Sequence, residues 1–189
     1  MSLRERPIRH IGGRTCLDFV NTANWSPDGV LIEERLGSDA DVAVWCRDAG
    51  LEDVAGQHGR LDGIVAFRNA VRRVIVAALD NSAPADSDVA PLNNALRSLP
   101  PRAMLPVAGK GIALDPSLTL DQAIAVSAMA LLNRRSEIER VKICPGGDCA
   151  WLFLDESKNR RRTWCSMETC GNRAKAKRHY RRKTAASTD

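Results

Sequence analysis

The stretch CPGGDCAWLFLDESKNRRRTWCSMETC, Cys144 to Cys170, holds four of the six cysteines of this chain as two pairs. Each pair encloses four residues, and fifteen residues separate one pair from the other. Zinc in structural sites prefers four soft ligands in a tetrahedron, and a tight turn lets one pair supply two thiolates. We therefore predict one structural zinc ion with no coordination position open for catalysis. Its predicted ligands are Cys144, Cys149, Cys165 and Cys170.

The remaining sequence supports metal ligation over oxidation of these cysteines. The start, MSLRERPIRHIGG, has no apolar segment typical of a signal peptide. The longest nearly apolar run, Ala123–Leu132, spans ten residues, and a membrane-spanning helix needs roughly 20. We expect a cytoplasmic protein without a membrane segment, in a reducing compartment that disfavours disulfides. Cys16 and Cys46 stand alone and are predicted to be small core residues.

Charge is distributed unevenly along the chain. Residues 1–133 carry 13 Lys and Arg against 16 Asp and Glu, and residues 134–189 carry 15 against 7. The net charges are therefore −3 and +8, which indicates an acidic body joined to a basic module with a polyanionic partner.

The basic residues concentrate after the last cysteine, in GNRAKAKRHYRRK. This segment is rich in helix formers and lacks proline, so we predict a helix with Cys170 near its N-terminus. Seven of the eleven residues 173–183 are basic and none is acidic, which favours contact with nucleic acid over a merely solvated or protein-binding face. The candidate contacts are Arg160, Arg161, Arg162, Arg173, Lys175, Lys177, Arg178, Arg181 and Arg182.

Between the cysteine pairs the sequence predicts a β-hairpin. Residues 151–154 alternate like a strand, residues 155–159 form a turn, and residues 161–164 return as a second strand. The aromatic residues here are interpreted as a minimal core around the metal, because a module of this size needs both packing and a metal to fold. A base-stacking platform is the alternative. These aromatic residues are Trp151, Phe153 and Trp164.

Residues 1–135 are predicted to form a mostly helical domain with a small hairpin. One helix begins at Ser38 or Asp39 and stops at Gly50. Another, starting near Phe67, has a clear apolar periodicity. Further helices are predicted over residues 88–98 and after a capping box at 119–122, with a hairpin over 105–114 between them. The arginines of the second helix, Arg68, Arg72 and Arg73, are interpreted as a solvated face.

Together these patterns predict an α+β protein with two parts. The mostly helical N-terminal domain covers residues 1–135. The second part, residues 141–183, is a small four-cysteine zinc finger made of a β-hairpin and a basic C-terminal helix. The connection is short, so we expect the parts to touch, and the first part should survive loss of the metal on its own apolar helices.

The N-terminal domain offers one candidate ligand site. A helical interpretation of CLDFVNTANW places four side chains on one face, which could line a pocket for a small-molecule effector or form a hydrogen-bonded structural corner. These residues are Asp18, Asn21, Thr22 and Trp25. The chain has no P-loop, no nucleophile elbow and no HExxH motif, so we predict that it is not an enzyme.

Residues 143–182 resemble the CGNR zinc finger, which is named for Cys170-Gly171-Asn172-Arg173. CLDFVNT (16–22) and VAVWCRDAGL (42–51) are similar to the start of the ABATE domain that precedes this finger in the family. The resemblance implies a bacterial, stress-linked transcription regulator whose finger binds one zinc and DNA. The N-terminal domain would then sense an effector or form a homodimer. An RNA- or ribosome-associated binder using the same finger remains the alternative.

Overall fold

A computed structural model describes residues 7–54, 59–99, 107–108, 111–112 and 118–185. In chain order the elements are α1 (Thr15–Val20), β1 (Ala23–Trp25), β2 (Leu31–Glu34), α2 (Asp39–Asp48), a 3-10 turn (Glu52–Val54), α3 (Leu61–Leu79), α4 (Asp86–Arg97), β3 (Val107–Ala108), β4 (Gly111–Ile112), α5 (Leu120–Leu132), α6 (Arg135–Ile138), β5 (Val141–Ile143), β6 (Leu152–Leu154), a π turn (Met167–Gly171) and α7 (Asn172–Ala185). The predicted α+β class is confirmed. Within the described ranges, no helix has the length and apolar character needed to cross a membrane.

Local signals position the N-terminal helices. Ser38 caps α2 by accepting a hydrogen bond from the backbone N–H of Asp41 at 3.2 Å, and Gly50 follows the helix with a φ of 70°. Thr119 and Gln122 form the predicted capping box at the start of α5. Each cap satisfies backbone groups that the first helical turn leaves unpaired. The helix boundaries predicted from these residues are confirmed.

In the part of the chain that the structure describes, three antiparallel hairpins accompany the helices. β1 pairs with β2, β3 with β4, and β5 with β6. The β3–β4 pairing confirms the hairpin predicted over residues 105–114, while Pro106 and residues 109–110 lie outside the described residues.

One hydrophobic core joins the N-terminal helices to the zinc finger. Helices α1, α3, α4 and α5 pack around buried side chains such as Phe19, Ile75 and Ile124, and α1 also contacts β6. Leu152 and Phe153, from the finger, are fully buried in this same cluster. The two parts therefore share their interior, which goes further than the contact that the short connection predicts.

The prediction that the three arginines of α3 lie on a solvated face is wrong for two of them. Arg68 is fully buried and Arg72 is 4% exposed, whereas Arg73 is exposed and pairs with Asp88. The reason is the β1–β2 hairpin, which covers this face of the helix. Trp25 of β1 lies against both buried guanidinium groups. The centroid of its ring is 5.6 Å from the Cζ atom of Arg68 and 4.7 Å from that of Arg72.

Asn21 attaches the finger to the N-terminal helices. Its side-chain amide donates to the backbone carbonyl of Leu152 at 2.8 Å and accepts from the backbone N–H of Leu152 at 2.9 Å. The Asn21 amide thus forms with β6 the pair of hydrogen bonds that a neighbouring strand would form. Next to it, Trp151 donates its indole N–H to the carbonyl of Ala23 at 3.0 Å.

Replacing Asn21 by Asp should destabilise the whole chain by about 3 kcal/mol or more, because a carboxylate oxygen would then face the Leu152 carbonyl in a buried site. Asn159→Asp, the same change at an exposed loop position, should cost little. Denaturant unfolding followed by circular dichroism measures both. Equal stabilities for the two variants would contradict this role for Asn21.

Candidate metal centre and basic helix

The first cysteine pair lies in the turn of the β5–β6 hairpin. Cys144 follows β5 and donates its backbone N–H to the Trp151 carbonyl at 2.8 Å, and Cys149 donates to the Gly146 carbonyl at 3.1 Å. A Cβ on Gly146 would lie 3.3 Å from the Cys170 sulfur. A side chain at residue 146 would therefore crowd the two cysteine pairs where they meet.

This arrangement corrects the hairpin predicted between the cysteine pairs. β6 pairs with β5, upstream of the first cysteine, and residues 161–164 form no strand. Strand-like alternation in residues 151–154 identifies one strand but not its partner. The aromatic side chains Trp151 and Phe153 are buried, as expected for a core around the metal, and Trp164 is half-buried.

The second cysteine pair leads directly into the basic helix. The Ser166 hydroxyl accepts from the backbone N–H of Thr169 at 3.3 Å and caps the π turn Met167–Gly171, which contains Cys170. Helix α7 continues from this turn at Asn172. The prediction that Cys170 lies near the N-terminus of the basic helix is confirmed.

The four cysteines meet with the geometry of a zinc site. Their sulfur atoms all lie within 4.8 Å of one another, with 3.5 Å from Cys149 to Cys165 and 3.7 Å from Cys165 to Cys170. Zn–S bonds of about 2.3 Å in a tetrahedron place sulfur atoms about 3.8 Å apart. All four side chains are buried, and none of the six cysteines, each in a described part of the chain, forms a disulfide. The cluster is thus a site for one structural zinc ion.

The electrostatics of the cluster favour a bound cation. Without one, hydrogen bonds from Cys149 and Cys165 lower the pKa of Cys144 to about 2, while donating to Cys144 raises the pKa of Cys149 to about 12. The pKa of Cys165 is raised for the same reason. A thiolate at Cys144 therefore opposes ionisation of Cys149 and Cys165 in the same cluster, and the divalent charge of zinc would stabilise thiolate ligands there.

Asp155 organises the loop between the two cysteine pairs. Its fully buried carboxylate accepts from the Lys142 ammonium at 2.6 Å, the Ser157 hydroxyl at 2.5 Å and the Arg162 backbone N–H at 3.0 Å. Burial raises the pKa of Asp155, but the hydrogen bonds from Lys142 and Ser157 outweigh it and hold the pKa well below its ordinary value. The sequence contained a signal for this residue, the Phe-Leu-Asp segment of the finger motif, but not its role.

Asp155→Asn should lower the free energy of unfolding at pH 7 by about 3 kcal/mol, because the amide nitrogen would face either Lys142 and the Arg162 N–H or the N–H and hydroxyl of Ser157. The depressed pKa means that the carboxylate stabilises the fold at neutral pH. This stabilisation fades below about pH 4 and is lost once the pH passes the folded-state pKa. Asp148→Asn, at an exposed position in the same finger, is the control for denaturant unfolding at pH 7. A similar loss in both variants would contradict the role of Asp155.

Arg162, one of the nucleic-acid contacts predicted from sequence, forms its hydrogen bonds within the protein. Its guanidinium donates to the backbone carbonyls of Ile11, Trp164 and Cys165. The Cζ atom lies 4.5 Å from the centroid of the Phe153 ring. Arg162 therefore holds the second cysteine pair against the N-terminal segment, with its hydrogen-bonding capacity used inside the protein.

The other eight candidate nucleic-acid contacts are exposed. They are Arg160, Arg161, Arg173, Lys175, Lys177, Arg178, Arg181 and Arg182. Helix α7 packs mainly against the π turn before it, and Tyr180 is 69% exposed. Of its residues with a described side chain, all but the half-buried Ala174 are exposed. The basic helix therefore projects from the finger with its charge in solvent.

The four residues predicted to line a ligand pocket do not share a helical face. Helix α1 ends at Val20, and Trp25 lies in β1. All four are buried, and three of them bond locally: Asp18 accepts from the Gly12 N–H at 2.7 Å, Thr22 donates to the Phe19 carbonyl at 2.7 Å and Trp25 donates to the Val20 carbonyl at 3.3 Å. Asn21 bonds to β6 as described above. Trp25 also lines a cavity beside α3.

Two known families match this chain in sequence. The CGNR zinc finger matches residues 140–183. ABATE, with the description "Putative stress-induced transcription regulator", matches residues 13–134. A comparison with curated proteins found no match. The two matched segments are the ones that the sequence motifs indicated, in the same order.

Proposed function

The chain belongs to the ABATE family and ends in a CGNR zinc finger, and from this premise we propose that it regulates transcription by binding duplex DNA through helix α7. The zinc ion would hold, through Cys170, the π turn from which this helix continues. The zinc would be structural rather than catalytic, since four cysteine ligands complete its coordination.

The observation that carries the proposal is the uncovered charge of α7. Its fourteen residues, Asn172–Ala185, would span about 21 Å, and its exposed basic side chains have no acidic residue among them. Such a helix repels itself until a polyanion neutralises it. The major groove of DNA is wide enough for one helix, with phosphates on both sides of it.

Arg173 is proposed to read a base and the other basic residues to contact phosphates. It lies in the first turn of α7, where recognition helices meet base edges, and it is exposed. Among the described residues its guanidinium has no hydrogen-bond partner, so bracing of the zinc turn finds no support. Arg160 and Arg161 are further phosphate contacts, whereas Arg162 is left out because its donors are already used.

Selection of bound fragments from random duplex DNA and RNA pools, with the intact zinc-loaded protein, tests the proposal. Enrichment of a sequence from the DNA pool alone is the expected result. Enrichment from the RNA pool alone would replace it with the alternative, an RNA- or ribosome-associated binder.

Arg173→Ala should relax the preference at one base position by about 1–3 kcal/mol with an unchanged melting temperature. A lower melting temperature with intact base preference would make Arg173 structural.

A further inference from the structure

A second site lies on the N-terminal side of the molecule, in a cavity of about 510 Å³ between α3, the start of α4 and the loop after β1. Much of its wall is apolar, including Trp25, Pro27, Val76, Pro84 and Ile143. Its volume is typical of small-molecule sites.

Arg72 gives this cavity a buried positive charge. It is 4% exposed, it lines the cavity, and its Nη1 atom is buried without a hydrogen-bond partner. Burial lowers the pKa of Arg72 to about 10, so the guanidinium stays protonated at neutral pH. A buried guanidinium without an anion is unfavourable, because it has lost water and gained no charged partner.

The other arginines of α3 show what Arg72 lacks. Arg68, one turn earlier, is fully buried and pairs with both carboxylate oxygens of Glu34 at 2.6 and 2.7 Å. Arg73 pairs with both oxygens of Asp88 at 2.8 and 2.6 Å. In the described part of the chain, Arg72 has the Trp25 ring beside it but neither a carboxylate nor a hydrogen bond. Among the described residues, Arg72 therefore lacks the carboxylate partner that Arg68 and Arg73 both have.

The zinc site does not supply that partner. Burial lowers the pKa of Arg72, and negative charge on Cys149 would oppose this lowering. No hydrogen bond joins the two residues within the described chain, and Cys149 is not part of the cavity wall. The donors of Arg72 therefore remain available to a molecule in the cavity.

We propose that this cavity binds a small monocarboxylic acid, with its carboxylate on Arg72 and its apolar body against Trp25 and the apolar wall. The other charged residues of the wall set the class of ligand: Asp28 and Asp80 are exposed there, and Arg73 is already paired with Asp88, which disfavours phosphates and other multiply charged anions. The site differs from the effector pocket predicted from sequence and shares only Trp25 with it.

The site adjoins the zinc finger through the backbone. The backbone N–H of Trp25 donates to the Cys149 carbonyl at 3.2 Å, so a ligand against the Trp25 ring contacts the strand that is hydrogen-bonded to the first zinc turn. The inference does not rest on DNA binding by α7, and its test uses no nucleic acid.

The test compares acids with their neutral amides on the zinc-loaded full chain. Acetate, benzoate and indole-3-acetate are titrated beside acetamide, benzamide and indole-3-acetamide, with ligand-observed NMR and thermal shift as measurements. At least one acid should bind about tenfold more tightly than its amide, because a charged acceptor strengthens the bond to a guanidinium. If no acid binds at millimolar concentration, or if the amides bind equally well, the proposal is wrong.

Two variants separate a ligand site from a structural role. Arg72→Met should abolish the difference between acid and amide while melting at or above the temperature of the unmodified protein, since it removes an unpaired buried charge. Arg47→Met, an exposed position outside the cavity, should change neither measurement. If Arg72→Met loses zinc or unfolds, and the unmodified protein does not distinguish acids from amides, Arg72 is a structural counter-charge of the thiolates and the proposal fails.

Discussion

The Cys165→Ser variant is expected to lose its zinc and, with it, the cooperative fold of the whole chain. Zinc contributes about 10–16 kcal/mol in small finger peptides, and an entire domain is stable by only about 5–15 kcal/mol. Sequence alone predicted that the N-terminal part would survive. The structure changes that expectation, because Leu152 and Phe153 complete the shared core and the Asn21 side chain forms both of its hydrogen bonds with β6.

Zinc content by mass spectrometry and hydrogen exchange along the chain measure this result. Cys46→Ser is the matched control: Cys46 is buried outside the cluster, and burial raises its pKa to about 11. It should keep one zinc and lose about 1–2 kcal/mol of stability. Native-like exchange protection of α1, α3 and α5 in Cys165→Ser would show that the two parts fold independently.

The double variant Lys177→Ala/Arg181→Ala should weaken binding to all DNA sequences by about 30-fold at physiological salt. Each phosphate contact contributes roughly 0.9 to the slope of log affinity against log salt, so the slope should fall by about two contacts. Both residues are exposed on α7, and their replacement should leave the melting temperature unchanged. Fluorescence anisotropy over a salt series measures the slope.

The control removes the same charge elsewhere. Arg60 and Arg135 have side chains that are 90% and 91% exposed in the N-terminal part, and Arg60→Ala/Arg135→Ala should retain the full salt slope. An unchanged slope in the α7 variant, or an equal loss in both variants, would place the DNA contact on another surface.

The sequence by itself determined those features that depend on neighbours in the chain. The spacing of the cysteines identified the zinc ligands, the capping box located the start of α5 and the composition after Cys170 identified the basic helix. In each case the signal is physical and local: a turn presents two thiolates, a side chain caps its own helix, or a helix-forming run carries its own charge.

Only the tertiary structure decided which partner each element meets. The alternation in residues 151–154 identified β6, but its pairing with β5 and with the Asn21 amide joins positions far apart in the chain. Periodicity placed Arg72 on the polar face of α3, and the β1–β2 hairpin then covered that face. A helix specifies which side chains share a face, whereas the elements that pack on it specify whether that face meets water, a carboxylate or a cavity.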